Sequence, residues 1–183
     1  MMVGSAFTED SALLFFSRTE ARIVDALTSE FLPSEDGSPG ATEAGVTIYI
    51  DRALAGFMRD LQGVYRRGFA ALADLTSERF GTTFVDATGA QRAQLMLEIS
   101  ELSVSEPDVF LGQFFRIVRE HTIQGFFGDP AYGGNRDTVG WKLVGFPGAQ
   151  WGYTADQMQP GVDSRSIPIL TVKDLYSRIG TAL

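Results

Sequence analysis

Three side chains carry the acid–base potential of the stretch between residues 120 and 140: His121, Asp129 and Asp137. A histidine and two carboxylates could move protons on a small substrate if they converged in one pocket. The spacing argues against it. His121 is the only histidine, and Glu120 beside it would point elsewhere on a helix, so the two make no dyad. No H-x-x-x-H or E-x-x-H pair occurs, and a metal site built on one histidine would need carboxylates from other segments. His121 better fits the last turn of a helix, where a cation is favoured. Asp129 precedes Pro130, which suits a carboxylate that opens a turn by accepting backbone N–H bonds. Asp137 stands beside Arg136, as a local ion pair or a cap would. No G-x-S-x-G elbow, P-loop or G-x-G-x-x-G turn is present. Zero cysteines remove thiolate catalysis and iron–sulfur ligation.

The elements around these residues point to contact rather than catalysis. Between Phe126 and Tyr153, seven of 28 residues are aromatic, against 11% for the chain, and both tryptophans lie there. Residues 125–161 also hold nine of the twenty glycines and three prolines. Gly133-Gly134-Asn135 accepts positive φ more readily than other tripeptides, so the segment can take a fixed, close-lying loop conformation. Aromatic bodies on such a backbone suit docking against protein. A structureless loop of this length is uncommon unless it is functional.

Charge divides the chain. The net charge is −8. Residues 128–183 hold five acids and five bases, so the whole excess lies in residues 1–127, with eighteen acids against ten bases. An acidic body excludes nucleic acid, whose phosphates need clustered cations. Two lysines supply no polybasic lipid anchor, and no apolar run approaches the roughly 20 residues of a membrane span, so direct membrane insertion is not expected. The start, MMVGSAFTEDSALLFF, carries no signal peptide as written, which predicts a cytoplasmic protein; a twin-arginine leader ahead of it would make the protein periplasmic.

The periodicity predicts an all-α fold: an irregular bundle of about five helices, a long glycine- and aromatic-rich arm, and a short C-terminal helix. Ser17 and Glu20 have capping-box spacing, and Ile23, Leu27 and Phe31 repeat on one face before Pro33 ends the first helix. Residues 34–40 form a turn-rich loop. A second helix is expected over about 44–59, with Val46, Tyr49, Ile50, Ala53, Leu54 and Phe57 on its apolar stripe. A third carries Leu61 to Leu75 and fades before Phe80. Thr88 and Gln91 form another capping box, opening a helix through Leu95, Met96 and Ile99. Pro107 resets the chain, and a fifth helix bearing Phe110, Phe114, Ile117 and Val118 reaches 121–124. Residues 167–172 read as strand-like, followed by a short helix around 173–178. The organisation is a single domain over 1–183: a tail (1–16), a helical body (17–124), a partner-binding arm (125–165) and a C-terminal segment (166–183).

The string DPAYGGNRDTVGWKLVGFPG, residues 129–148, resembles the signature of the gluconate 2-dehydrogenase subunit 3 family. The opening FFSRTEARIVDALTSEFLPSEDGSPGATEAGVTIYIDRAL is similar to that family's start, with its "P-G-A-x-E-A-G-V" turn and "I-D-R". The likeness runs from about Phe15 to Tyr153. It implies a non-catalytic small (gamma) subunit with no cofactor of its own, needed for folding, maturation and stability of an FAD-containing, glucose–methanol–choline-type sugar, polyol or glycoside dehydrogenase subunit. A cytochrome c subunit bearing haem c often completes such complexes. Family members commonly carry a twin-arginine signal, and none precedes Phe15 here. On this reading Phe127, Asp129, Tyr132, Gly133, Gly134, Asn135, Trp141, Phe146, Pro147 and Trp151 contact the partner, or some fold back on the chain's own helices. A stand-alone enzyme using Asp129, Asp137 and His121 and a carbohydrate-binding module are the alternatives.

Overall fold

A computed structural model describes residues 12–35, 37–106 and 109–180. Its helices are α1 (Arg18–Phe31), α2 (Val46–Ala55), α3 (Gln62–Phe80), α4 (Gly89–Ser105), α5 (Phe110–Phe127), α6 (Val139–Val144) and α7 (Val172–Gly180). No strand occurs among the described residues, and the fold is all-α. Most of the N-terminal tail, Asp36 in the 34–40 loop, and Pro107 lie outside the described residues.

Both capping boxes form. Ser17 accepts from the Glu20 N–H while Glu20 accepts from the Ser17 N–H, and Thr88 and Gln91 do the same for α4. Each satisfies two N-terminal donors that the helix itself leaves unpaired. Helix α5 is the hub: α1, α2, α3, α4 and α6 all pack on it. Around it Val24, Ile50, Leu54, Tyr65, Leu72, Leu95, Val118 and Phe126 are fully buried. Tyr65 meets Phe114 edge-on at 5.5 Å, and Phe69 meets the same ring at 6.1 Å. Such edge-to-face pairs add about 0.5–1.5 kcal/mol each beyond the area they bury.

Several boundaries differ from the sequence reading, for local reasons. Helix α2 stops at Ala55, where Gly56 leaves helical geometry (φ −117°, ψ −110°), so Phe57 is 69% exposed instead of joining the buried stripe. Helix α5 continues to Phe127, which places His121 inside the helix rather than in its last turn. Residues 139–144, expected as arm, form α6. The strand-like piece 167–172 makes one parallel bridge, Leu170 to Gly148, and no ladder; Pro168 removes a donor within it.

One buried carboxylate fixes the start of the body. Asp51 on α2, 1% exposed, accepts the backbone N–H groups of Leu14 (2.6 Å), Phe15 (3.0 Å) and Phe16 (2.8 Å). Those are donors at the entry to α1 that the chain would otherwise bury unpaired. Asp51 is the Asp of the "I-D-R" string.

Candidate partner-docking groove

The glycine-rich segment closes over the C-terminal end of α5. A helix ends with carbonyls that lack intrahelical partners, and here the loop supplies donors to two carbonyls at that end, those of Phe127 and Gly128. Asn135 donates through Nδ2 to the Gly128 carbonyl (2.8 Å) and accepts from the Gly140 N–H through Oδ1 (2.8 Å). Trp141 donates through Nε1 to the Phe127 carbonyl at 2.6 Å. The Arg136 N–H reaches the Ala44 carbonyl at 3.0 Å, which ties the loop to the turn before α2. Residues 125–149 therefore lie against the body rather than apart from it.

The backbone needed for this closure explains the residue types. Asn135 has φ 44°, Asp137 55° and Thr138 57°, with Gly133 at 102°. A Cβ on Gly134 would fall on the Gly125 carbonyl oxygen, and one on Gly140 on the Phe126 carbonyl oxygen. The loop backbone lies directly on α5, and only glycine permits that approach.

Closure frames an apolar groove of about 400 Å³, lined by Tyr49, Phe57, Ile123, Gln124, Phe127, Gly128 and Tyr132. Its walls come from α2, α5 and the turn 130–132. Phe57 is 69% exposed and Tyr132 57%. The Tyr49 hydroxyl donates to Gln124 Oε1 at 3.0 Å, and Gln124 Nε2 donates to Glu120 Oε1 at 3.1 Å. Burial pushes the Tyr49 hydroxyl above its ordinary value, with the nearby Tyr132 adding to the shift, so it stays a protonated donor. The groove is apolar inside, and the polar side chains at its edge, Tyr49, Gln124 and Glu120, are bonded to one another.

The residues expected to meet a partner fall into distinct positions. Phe127 and Tyr132 line the groove. Phe146 and Trp151 are exposed beyond it, while Pro147 is buried behind Phe146. Asn135 (0%) and Trp141 (4%) are buried, and their bonds hold the loop that shapes the groove. Gly133 and Gly134 serve the same closure. Asp129 accepts from Ala131 N–H through Oδ1 (2.9 Å), as a turn-opening aspartate does, and from Val172 N–H through Oδ2 (2.7 Å). Tyr49, Phe57 and Ile123 were not legible as site residues: the first two lay on an apparent core stripe, and nothing in the spacing set Ile123 apart.

His121, Asp129 and Asp137 have entirely different partners. His121 is 5% exposed, and its Nδ1 faces the Tyr65 hydroxyl at 2.8 Å inside the body. Burial lowers the imidazole below its usual range, partly countered by Glu120, and pushes the Tyr65 hydroxyl far up. The pair is neutral, and the Tyr65 hydroxyl and His121 Nδ1 share one hydrogen bond. Asp137 is exposed, and its expected ion pair with Arg136 is not formed. A second concavity, about 530 Å³, lies between α1 and the 33–43 turn. Most of its polar groups are engaged within the chain: Arg92 with Glu30 (2.7 Å), Glu43 with Ser34 (2.6 Å) and the Gly40 N–H (2.9 Å), and Asp25 with Thr42 (3.1 Å). Among the described residues no group of three or more His, Cys, Asp or Glu side chains could hold a metal ion, and no helix is long and apolar enough to cross a membrane.

What emerges is an all-α protein whose glycine–aromatic segment is closed on a helix end and frames an apolar groove. Residues 18–148 match the gluconate 2-dehydrogenase subunit 3 family, and the chain belongs to that family. The family is that of an accessory subunit of a dehydrogenase. No curated protein and no solved structure matched the chain.

Proposed function

We propose that this chain is the non-catalytic gamma subunit of an FAD-dependent sugar or polyol dehydrogenase, and that it binds the flavoprotein subunit through the Tyr49–Phe57–Tyr132 groove. FAD sits in the partner, haem c in a cytochrome subunit where one completes the assembly, and this chain assists folding and maturation of the flavoprotein. The observation that carries the reading is the groove itself. Its exposed aromatics come from two segments: Phe57 follows α2, and Tyr132 stands on the turn that Asp129 and Asn135 fix by hydrogen bonds, so two separate parts of the chain present large apolar side chains to one concavity. Buried aromatic anchors commonly dominate interface energies, and an apolar interior with a polar rim is the usual anatomy of a docking patch. Family membership supplies the class of partner.

Co-expression with the cognate flavoprotein, capture through a tag on this chain and an absorbance spectrum of the eluate test the proposal. A yellow, stoichiometric complex, with dehydrogenase activity that falls when this chain is omitted, supports it. A flavoprotein that is fully active and flavin-loaded without this chain rules out the maturation role.

A further inference from the structure

The family match ends at residue 148, yet the chain beyond it exposes Trp151 (68%), Tyr153 (44%), Met158 (65%), Val162 (39%) and Tyr176 (69%). Immediately before them Leu143 (47%), Val144 (55%) and Phe146 (44%) are exposed as well. These eight exposed apolar side chains, three of them aromatic residues beyond the family region, are the feature to be explained. Helix α7, in this stretch, packs on the rest of the body only sparsely. Val172 and Leu175 are half-buried, and Tyr176 points outward.

Asp129 joins this surface to the groove. Its Oδ1 sets the turn that carries Tyr132 into the groove, and its Oδ2 accepts the N–H of Val172, the first residue of α7. One carboxylate thus fixes a groove wall and the start of α7 together. Two further bonds run alongside: Ala149 N–H to the Leu170 carbonyl (2.7 Å) and Leu170 N–H to the Pro147 carbonyl (3.0 Å). The groove and the C-terminal surface are held in register by bonded backbone.

We infer that the partner-binding surface continues from the groove through Asp129 onto α7 and the Trp151–Tyr153 segment, and that the apolar, uncharged face of the same dehydrogenase subunit covers it. The inference rests on the groove reading above and extends it past the family region. Charge selects the occupant. Residues 128–183 balance five acids against five bases, so the surface matches an apolar face without a charge excess. An anionic membrane would require a basic patch. A second copy would bring together two bodies that each carry the full −8.

Three exposed-residue variants and one latch variant test this with the purified full chain and its cognate flavoprotein. Trp151→Ala/Tyr176→Ala removes the extended surface, Phe57→Ala/Tyr132→Ala removes the groove, and the four-site combination removes both. Asp129→Asn leaves one acceptor oxygen where the carboxylate offers two, so the Ala131 and Val172 N–H groups can no longer both be paired and the link between the turn and α7 is broken. The expected results are an affinity at least about tenfold lower for Trp151→Ala/Tyr176→Ala with an unchanged thermal melt, and a similar loss for Asp129→Asn with faster amide exchange at residues 172–176. If Phe57→Ala/Tyr132→Ala abolishes binding while Trp151→Ala/Tyr176→Ala leaves it unchanged, the groove reading survives and the extension is wrong. If the melt and flavoprotein affinity are unchanged but sedimentation shows that Trp151→Ala/Tyr176→Ala dissociates a dimer of this chain, a second copy covers the surface. Loss of binding to phosphatidylcholine vesicles, with flavoprotein affinity intact, would assign it to lipid instead. Either of the last two outcomes overturns the inference.

Discussion

The indole N–H of Trp141 donates to the backbone carbonyl of Phe127 at 2.6 Å, so an aromatic residue of the glycine-rich segment closes the helix that it covers. The same ring stands edge-on to exposed Phe146, with centroids 5.4 Å apart. One tryptophan therefore satisfies a helix end on one side and positions a surface aromatic on the other.

Asn135 carries the closure most heavily. Asn135→Ala would leave the Gly128 carbonyl and the Gly140 N–H without their partners and would hold alanine at φ 44°. A loss of about 3 kcal/mol in urea unfolding is expected, since each orphaned buried group costs ~1–3 kcal/mol. A loss below about 0.5 kcal/mol would mean that water replaces both bonds.

Gly140→Ala and Gly134→Ala should each open the loop. The added methyl would meet α5 backbone, which cannot rotate aside as a side chain would. The expected readout is a red-shifted Trp141 emission in a Trp151→Phe background, because the indole is lifted from a site where it is 4% exposed.

Asp51→Ala should release residues 14–16 from α2 by removing the acceptor of three N–H groups. Hydrogen bonds to a charged acceptor are worth ~1.5–3 kcal/mol each, so the total loss is expected to be at least about 3 kcal/mol. Amide exchange at Leu14, Phe15 and Phe16 should become fast while the α5 core stays protected.

The Tyr65–His121 pair makes stability depend on pH. Burial lowers the folded imidazole below its ordinary 6.5, so over the interval between the two values the unfolded chain binds the extra proton. Stability therefore falls as pH drops through about 6.5 and levels off below the depressed folded value. His121→Asn keeps an acceptor for the Tyr65 hydroxyl and removes the titration. Its denaturation midpoint should change less than the parent's between roughly pH 7 and pH 5. Parallel slopes in the two proteins would show that His121 is not the group responsible.

Much of the fold was legible because local rules and tertiary packing agree in the body. Ser17/Glu20 and Thr88/Gln91 cap the helices that they announce, and Leu95, Ile99, Phe114 and Val118 are buried as their periodicity requires. The groove was only half legible. Phe127 and Tyr132 lie in a segment whose composition marks it, whereas Phe57 continues the α2 rhythm past a helix that Gly56 has already ended. Periodicity reports an apolar stripe and cannot say where its last member leaves the core. Asn135 and Trp141 were read as candidate contacts, yet their polar atoms are spent on the end of α5. Aromatic and amide side chains suit an interface and a closed loop equally well, and composition does not separate the two uses. Helix α6 was missed because Asn135, Asp137 and Thr138, all at positive φ, precede it and mask its start.

The most direct measurement compares the flavin content of the cognate flavoprotein after co-expression with the wild-type chain or with Phe57→Ala/Tyr132→Ala. Both residues are exposed, so the variant should fold and melt like the parent. The predicted result is a stoichiometric, flavin-loaded complex with the wild-type chain and a flavin-poor, uncaptured flavoprotein with the variant. A variant that still captures and loads the flavoprotein in full would contradict the groove as the docking site.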